Sequence, residues 1–342
     1  MDSAFGKPGI LRESHATNDS AAAIEIPDRC PACGGNETGV LFSATDRLYA
    51  AKDRIFQVVE CRQCRLIRLH PQPEPGELRA YYLPGYWLAP GTTVTERLEE
   101  WFRRLVLRDR LHFVERTLNE LEAAGMVLDV GCGDGLLLEM LAERGRTNLA
   151  GLDSSLEAAT AARTRAGVPV ICGNLARAPF GPGSCSVVTM FQVLDHLDQP
   201  TSYLDAAREL LAPEGRLIVQ VPNVACWQFL LLGERWNGID VPRHLLGFRL
   251  ADLETLLENC GFEVLRRKHF SLRDNPAGMA SSLAPRLDPM ARRLRHAPET
   301  TAARLWKDAI FLTLAVACLP FTLLEAACRA GSTVMMEARK KL

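Results

Sequence analysis

Residues 127–136 read Val127-Leu-Asp129-Val-Gly131-Cys-Gly133-Asp-Gly135-Leu. A short apolar run leads into three alternate glycines, and leucines at helical spacing follow. Glycine adopts backbone conformations that other residues avoid, and it lets a ligand approach the main chain closely. A strand, a glycine turn and a helix in this order are typical of the first unit of a nucleotide-binding sheet, although the dinucleotide spacing G-x-G-x-x-G is not met.

The apolar pattern alternates between strand and helix periods after this turn. It predicts an α/β fold with a doubly wound, mostly parallel seven-stranded sheet, because βαβ repeats place successive strands side by side. A helical insertion of about sixty residues precedes the last strand. The predicted strands are 126–130, 149–152, 168–172, 186–191, 216–221, 262–270 and 333–339, and the predicted helices are 95–124, 136–144, 156–166, 201–211 and 250–259.

An acidic residue ends the second strand of this sheet, in Ala150-Gly-Leu-Asp153-Ser. Asp153 lies eighteen residues after Gly135. An acid about 20 residues beyond the glycine turn is placed to accept hydrogen bonds from both hydroxyls of a ribose. The sequence therefore predicts a cofactor that contains a nucleoside.

Four of the eleven cysteines form two Cys-x-x-Cys pairs near the N-terminus, Cys30/Cys33 and Cys61/Cys64, with 27 residues between the pairs. Each pair turns two thiolates toward one point, and four sulfurs supply the ligands of a tetrahedral Zn²⁺ site. Because sulfur fills all four positions, we expect the zinc to be structural. The alternative is that the four cysteines are incidental and buried.

Six segments are expected along the chain. Three prolines within residues 71–75 indicate a stiff linker, which favours a boundary after the cysteine pairs. The first 25 residues carry charges and no apolar core of a secretory signal, so we expect a cytoplasmic protein. The segments are a leader (1–26), a zinc ribbon (27–70), a linker and helical lid (71–125), a cofactor-binding core (126–272), a helical insertion (273–331) and the last strand with a basic tail (332–342).

Residues 126–271 resemble a class I S-adenosylmethionine (SAM)-dependent methyltransferase. The front of the chain is similar to a subgroup in which a four-cysteine zinc segment, a Pro-x-Pro linker and paired tyrosines precede the methyltransferase domain. In that subgroup the stretch from Trp236 to His244 is a recurrent acceptor-side segment. The likeness is carried by the glycine turn, Gly151-Leu-Asp153, Phe191-Gln-Val-Leu-Asp195-His196, Gly215-Arg-Leu-Ile-Val-Gln-Val-Pro222-Asn223 and Tyr81-Tyr82.

The resemblance implies that SAM is the cofactor and that Zn²⁺ is bound as a structural metal. The chain departs from the family where Gly173-Asn174 replaces Gly-Asp and where Cys185-Ser186 replaces Phe-Asp. The side-chain oxygen of Asn174 can still accept a hydrogen bond from the adenine amino group. The implied cofactor-binding residues are Asp129, Gly131, Gly133, Gly135, Asp153, Asn174, Leu175, Gln192, Tyr82 and Tyr86.

Two histidines are candidates for catalysis if the acceptor is a hydroxyl, because a hydroxyl needs a base to remove its proton. His196 lies just past the carboxyl end of the fourth strand, where open α/β sheets bind ligands. His244 lies in a loop with Trp236 and Asp240. The alternatives are that His196 only packs against or caps the following helix and that His244 is solvated. Tyr82, Tyr86 and Trp87 are expected either to cover the cofactor or to pack on the sheet.

The insertion combines a basic segment with an apolar one. Residues 286–307 carry six basic and two acidic side chains, and residues 309–324 carry no charge. The apolar stretch is shorter than the roughly 18 residues needed to span a membrane, and Pro320 is expected to interrupt it. Residues 285–329 therefore favour peripheral contact with anionic lipid. A buried helical hairpin or a homodimer surface is the alternative.

The overall charge bears on the class of acceptor. Forty basic and forty-one acidic residues leave a net charge of -1, and no stripe of basic and aromatic residues is present, so nucleic acid is a disfavoured partner. The leading interpretation is a methyltransferase that acts on a small-molecule, glycan or lipid-linked acceptor, at the inner face of the membrane if the insertion binds lipid. The alternatives are a zinc-containing rRNA or tRNA methyltransferase and a non-catalytic SAM-binding protein.

Overall fold

The computed structural model describes residues 29–341, except residue 31, residues 83–85, 88–93 and 122–124, and residue 297. The predicted leader, residues 1–26, lies outside the described residues. The strands are β1 (Thr38–Asp46), β2 (Ala51–Cys61), β3 (Ile67–His70), β4 (Met126–Val130), β5 (Leu149–Asp153), β6 (Val170–Cys172), β7 (Cys185–Phe191), β8 (Leu211–Pro222), β9 (Leu246–Gly247), β10 (Phe262–Lys268) and β11 (Thr333–Lys340). The helices are α1 (Pro75–Ala80), α2 (Val94–Glu120), α3 (Leu136–Glu143), α4 (Leu156–Ala166), α5 (Pro200–Leu210), α6 (Trp227–Leu232), α7 (Leu250–Asn259), α8 (Asn275–Leu283), α9 (Pro289–Leu294) and α10 (Thr301–Ala327).

The larger sheet has seven strands in the order β10-β11-β8-β7-β4-β5-β6. The pairs from β8 to β6 are parallel, and β11 is antiparallel to both of its neighbours. The predicted mostly parallel seven-stranded sheet is confirmed. The chain continues from β4 toward one edge and later returns to β7 on the other side, so a crevice opens where the carboxyl ends of β4 and β7 meet.

The centre of this sheet is the main core. Every residue of β7 is buried, which is expected for a parallel strand covered by helices on both faces. Leu136, Leu137, Leu138, Met140 and Leu141 of α3 are also buried. This core holds the carboxyl ends of β4, β5 and β7 in fixed positions, and the candidate site residues follow those ends.

A second, four-stranded sheet has the order β1-β2-β3-β9. Its first three strands come from the cysteine-containing segment, whereas β9 follows the loop that carries His244. Ile67 and Arg68 of β3 pair with Gly247 and Leu246 of β9. The N-terminal segment is therefore joined by backbone hydrogen bonds to the chain that borders the crevice.

The insertion forms α8, α9 and α10. The prediction that Pro320 interrupts the apolar segment is wrong, because α10 is one helix of 27 residues that contains Pro320. A proline removes one backbone hydrogen bond, and the helical turns on both sides remain. Among the described residues, α10 is the one helix long and apolar enough to cross a membrane by length and composition, and 28% of its most apolar window is buried.

The basic side chains of the insertion are largely paired. Arg292 contacts Glu299 and Asp308, and Arg293 and Arg304 contact Glu99 of α2. With Glu99 and Asp308 included, the excess of basic over acidic side chains falls from four to two. The expected attraction to anionic lipid is weaker for that reason.

Candidate active site

The glycine turn after β4 has the expected left-handed conformations. Gly131, Gly133 and Gly135 have φ values of 70°, 56° and 77°. A Cβ atom on Gly133 would lie 2.7 Å from the Trp87 ring, and one on Gly135 would lie 2.7 Å from the backbone of α4 at Ala162. Glycine is therefore required at these two positions both by backbone conformation and by close packing.

Asp153 lies beside this turn at the end of β5. One carboxylate oxygen accepts a hydrogen bond from the Gly133 amide at 3.0 Å, and the other accepts one from the Ser155 amide at 2.9 Å. The side chain is buried, and burial raises the pKa of its carboxyl. Each oxygen keeps a lone pair for a further donor, so the predicted contact with two ribose hydroxyls fits the arrangement.

Asp129 has a different environment from Asp153. Its carboxylate is buried and accepts a hydrogen bond of 2.5 Å from the Thr189 hydroxyl of β7. Burial raises the pKa of this carboxyl to about 7. This side chain links β4 to β7 beneath the turn.

Gln192 and Asn174 follow the ends of β7 and β6. Gln192 has a φ of 58°, and its buried Oε1 accepts no hydrogen bond from a described residue. The Asn174 Oδ1 accepts a hydrogen bond from the Ala176 amide at 2.9 Å, and Leu175 between them is buried. An unpartnered amide oxygen at a strand end is what a polar cofactor group would satisfy, so these residues fit a bound SAM.

The two candidate histidines contact each other. The ring centroids of His196 and His244 are 4.7 Å apart, and the two rings are nearly perpendicular. Their Nε2 atoms lie 3.6 Å and 3.2 Å from the same Oδ2 of Asp195, which is 1% exposed. The Nδ1 atom of His196 lies 2.8 Å from the Tyr82 hydroxyl. Burial lowers the pKa of His196, which favours the neutral imidazole at neutral pH.

The loop that carries His244 is held by a buried arginine. Arg243 is 0% exposed and donates to both oxygens of Asp46 at 2.9 and 3.0 Å. It also donates to both oxygens of Asp240 at 2.7 and 2.6 Å. Burial acts to raise the pKa of Asp240, but the Arg243 charge outweighs it and the pKa is lowered. The loop is further tied to the end of β7 by a 2.7 Å hydrogen bond from the Leu245 amide to the Asp195 carbonyl.

Three aromatic residues of the linker lie over the crevice. Tyr82 and Tyr86 pack edge to face at 5.1 Å, and Tyr86 and Trp87 do so at 5.0 Å. Burial raises the pKa of both tyrosine hydroxyls. These residues reach from the glycine turn, which Trp87 contacts, to His196, which Tyr82 contacts.

The four N-terminal cysteines come together as the sequence predicts. The sulfurs of Cys30 and Cys64 are 3.5 Å apart, those of Cys33 and Cys61 are 3.6 Å apart, and all four lie within 4.8 Å of one another. In a tetrahedral site with Zn–S bonds of about 2.3 Å, sulfurs are about 3.8 Å apart. Burial opposes ionisation of Cys61, but the amides of Cys64 and Gln63 lower the pKa of its thiol to about 6. The four sulfurs could hold a zinc ion.

Sequence reasoning missed two contacts of this arrangement. Asp195 was visible only as the neighbour of His196, and its contact with His244 depends on a loop some fifty residues away. Asp46 and Arg243 are separated by 197 positions, so nothing local indicates their pairing. An Asp and an Arg within the acceptor-side segment, at positions 240 and 243, were the available signal for a buried ion pair.

The family described as Methyltransferase domain matches residues 99–267 of this chain. A probable S-adenosylmethionine-dependent methyltransferase of Mycolicibacterium smegmatis is 33% identical over 170 residues, which cover 48% of this chain and 60% of that protein. A ubiquinone biosynthesis O-methyltransferase of Pectobacterium carotovorum is 31% identical over 173 residues, which cover 47% of this chain and 72% of that protein. The match with the first of these relatives therefore spans less than two thirds of its length.

Among solved structures, a 1,6-didemethyltoxoflavin-N1-methyltransferase of Burkholderia thailandensis, with its substrate and S-adenosylhomocysteine bound, is similar to this chain. The TM-score is 0.47 at 16% identity, over 86% of this chain and 98% of that one.

Proposed function

The chain belongs to the SAM-dependent methyltransferases, and we propose that it transfers the SAM methyl group to a hydroxyl of a small-molecule, glycan or lipid-linked acceptor. The observation that carries the choice of a hydroxyl is the convergence of Tyr82, Asp195, His196 and His244 at the end of β7. Transfer from a sulfonium mainly requires that donor and acceptor be aligned, whereas a hydroxyl also requires removal of a proton. The name of one relative, an O-methyltransferase, supports oxygen as the acceptor atom.

The cofactor would lie along the carboxyl ends of β4, β5 and β7. Asp153 would accept the two ribose hydroxyls, and Asn174 with Leu175 would contact the adenine. The main chain of the glycine turn would approach the rest of the nucleoside, with Asp129 beneath it. Tyr82, Tyr86 and Gln192 would border the end of the cofactor from which the methyl group leaves. SAM supplies the electrophilic methyl group when it is bound.

His196 and His244 are the proposed catalytic residues. The Nε2 of a neutral imidazole takes the hydroxyl proton, and the acceptor oxygen forms its bond to the methyl carbon. With SAM bound, the carbon–sulfur bond would break with its electron pair left on sulfur, so the cofactor would leave as S-adenosylhomocysteine. Because burial lowers the pKa of His196, this ring is available as a base at neutral pH.

The four N-terminal cysteines are proposed to hold one structural Zn²⁺. The site would be closed, because four sulfurs fill a tetrahedral shell, and it lies in the segment whose β3 pairs with β9. Zinc binding would therefore stabilise the sheet next to the loop that carries His244.

Transfer of an isotopically labelled methyl group tests this function. We expect purified protein to move label from SAM into low-molecular-mass compounds of a cell extract, as measured by mass spectrometry. His196→Ala should lower the rate by about 10²- to 10⁴-fold with SAM affinity nearly unchanged, because general-base catalysis contributes a factor of that size. His112→Ala, which changes an exposed histidine of α2, is the matched control. Label found mainly in RNA would instead support the tRNA or rRNA interpretation.

Contact with a lipid surface is proposed for α10. Leu305, Trp306, Leu312, Val316 and Leu323 are each at least 43% exposed on this helix. The ion pairs of Arg304 and Arg293 with Glu99 place the helix beside α2, whose Trp101 is 59% exposed. Since the basic side chains are largely paired, the apolar face rather than charge would drive binding.

Flotation with liposomes tests the lipid contact. We expect the intact protein to float with both neutral and anionic vesicles, and a Leu312→Glu/Val316→Glu variant to stay in solution. A Glu157→Ala variant, which alters an exposed residue of α4, should behave like the intact protein. Concentration-dependent dimerisation without flotation would show that the face binds a second copy instead.

A further inference from the structure

We infer that Asp195, His196 and His244 bind a divalent metal cation through one carboxylate oxygen and two imidazole nitrogens. The ligand atoms of these three residues all lie within 4.8 Å of one another. Two of them, the Nε2 atoms, approach the same Asp195 Oδ2 at 3.6 and 3.2 Å. Three ligands of this kind are therefore aimed at one small volume beside the crevice.

The first argument comes from the far side of each imidazole. The Nδ1 of His244 lies 2.9 Å from the Gly238 carbonyl, which can only accept a hydrogen bond, and 3.3 Å from the Asp240 amide, which can only donate one. The shorter contact, with the carbonyl, favours a proton on Nδ1. When Nδ1 carries the proton, the Nε2 of a neutral ring presents a lone pair toward Asp195. The Nδ1 of His196 lies 2.8 Å from the Tyr82 hydroxyl, which can accept a hydrogen bond from a protonated Nδ1. A second hydrogen bond that orients the ring is the usual companion of a metal-binding histidine.

The second argument comes from the carboxylate. Asp195 is 1% exposed, and neither of its side-chain oxygens accepts a hydrogen bond from the part of the chain that the structure describes. The two Nε2 atoms lie 3.6 and 3.2 Å from Oδ2, and neither forms a hydrogen bond with it. A buried carboxylate without donors is costly, and a lone pair facing it adds repulsion. A cation between the three atoms removes both costs.

The ligand set indicates the class of cation. Two imidazoles and one carboxylate suit Mn²⁺, Fe²⁺, Co²⁺ or Zn²⁺, and three protein ligands leave coordination positions open. An open position would take the acceptor oxygen and lower the pKa of its hydroxyl. With both Nε2 atoms on the cation, water would take the proton, and the two histidines would act as ligands instead of as the base described above. This use of the open positions rests on the proposed function, whereas cation binding itself does not.

Titration of the full-length protein with Mn²⁺, followed by electron paramagnetic resonance, tests the inference. Mn²⁺ prefers oxygen and nitrogen over thiolate, so the cysteine cluster does not compete. We expect one bound Mn²⁺ per chain, with nitrogen couplings from two imidazoles in the pulsed spectrum. His244→Gln and Asp195→Asn should each weaken binding at least 10-fold, whereas His112→Ala should not.

Absence of stoichiometric Mn²⁺ from the intact protein, or a bound Mn²⁺ without imidazole nitrogen couplings, would overturn the inference. Calorimetry with SAM shows whether each variant is still folded, and the couplings in the intact protein decide the matter if Asp195→Asn is not. Cation binding without methyl transfer to any hydroxyl would contradict the proposed function alone. If the protein bound no Mn²⁺ and chelators did not slow its methyl transfer, only the inferred cation site would be contradicted.

Discussion

Replacement of Arg243 by methionine is expected to destabilise the folded protein more than any surface substitution. The guanidinium is 0% exposed and donates to both oxygens of Asp46, which is itself 3% exposed. Methionine fills much of the same volume but has no charge and no donor. The substitution therefore leaves the Asp46 carboxylate buried without its cation.

The magnitude follows from that burial. Removal of one partner of a buried ion pair costs about 3 to 5 kcal/mol, because the remaining charge is desolvated and uncompensated. Asp240 also loses two hydrogen bonds from Arg243, but its side chain is 25% exposed and water can replace part of them. We expect the free energy of unfolding to fall by an amount in the upper half of this range.

Urea unfolding at neutral pH, followed by circular dichroism, measures the loss. Arg339→Met is the matched control, since Arg339 pairs with Glu263 at a site where the two side chains are 45% and 49% exposed. An exposed pair contributes about 0 to 1 kcal/mol. If Arg243→Met cost no more than Arg339→Met, the buried Arg243–Asp46 pair would not hold the His244 loop, and that part of the account would be refuted.

The remaining predictions concern SAM, zinc and pH. Asp153→Ala should weaken SAM binding, measured by calorimetry, at least about 10-fold, since a hydrogen bond to a charged group contributes roughly 1.5 to 3 kcal/mol. Asp205→Ala on α5 should leave the SAM affinity unchanged. If Asp153→Ala bound SAM as tightly as the intact protein, Asp153 would not be part of the site. Elemental analysis should show that Cys61→Ser has lost its bound zinc, whereas Cys172→Ser, which changes an exposed cysteine, retains it. Full retention of zinc in both variants would reject the four-cysteine site. Burial raises the pKa of Asp129 to about 7, so the unfolded chain ionises first and the stability of the protein falls as pH rises from about 4 to about 7. Asp129→Asn should therefore be more stable than the intact protein by more than about 1 kcal/mol at pH 8 and lose this advantage near pH 4. Urea unfolding that shows the same difference in stability at both pH values would contradict this prediction.

The sheet was predictable because its signals are local. Strand β4, the three glycines and the acid at the end of β5 lie within 28 consecutive residues, and each is dictated by periodicity or backbone conformation. Predicted boundaries agree with the observed elements within a few residues, apart from β8, which begins at Leu211 rather than at the expected residue 216. The extra residues pair irregularly with β7, an effect of neighbouring strands that the local pattern does not contain.

The candidate site was predictable only in part. His196 and His244 could each be selected from their position in the chain, but the contact between their rings requires the tertiary fold. The pairing of Asp46 with Arg243 joins the cysteine-containing segment to the His244 loop across 197 positions. The same limit applies to the insertion, where the local count of charges omits Glu99, which α2 supplies from outside the segment.

The ¹³C NMR spectrum of the product formed from SAM with a ¹³C-labelled methyl group tests the central claim most directly. The label must be bonded to oxygen if the cluster of Asp195, His196 and His244 activates a hydroxyl. We predict a single methoxy resonance in a compound of low molecular mass, absent when His196→Ala replaces the intact protein. A labelled methyl group on nitrogen or carbon, formed at the same rate by both proteins, would contradict the claim.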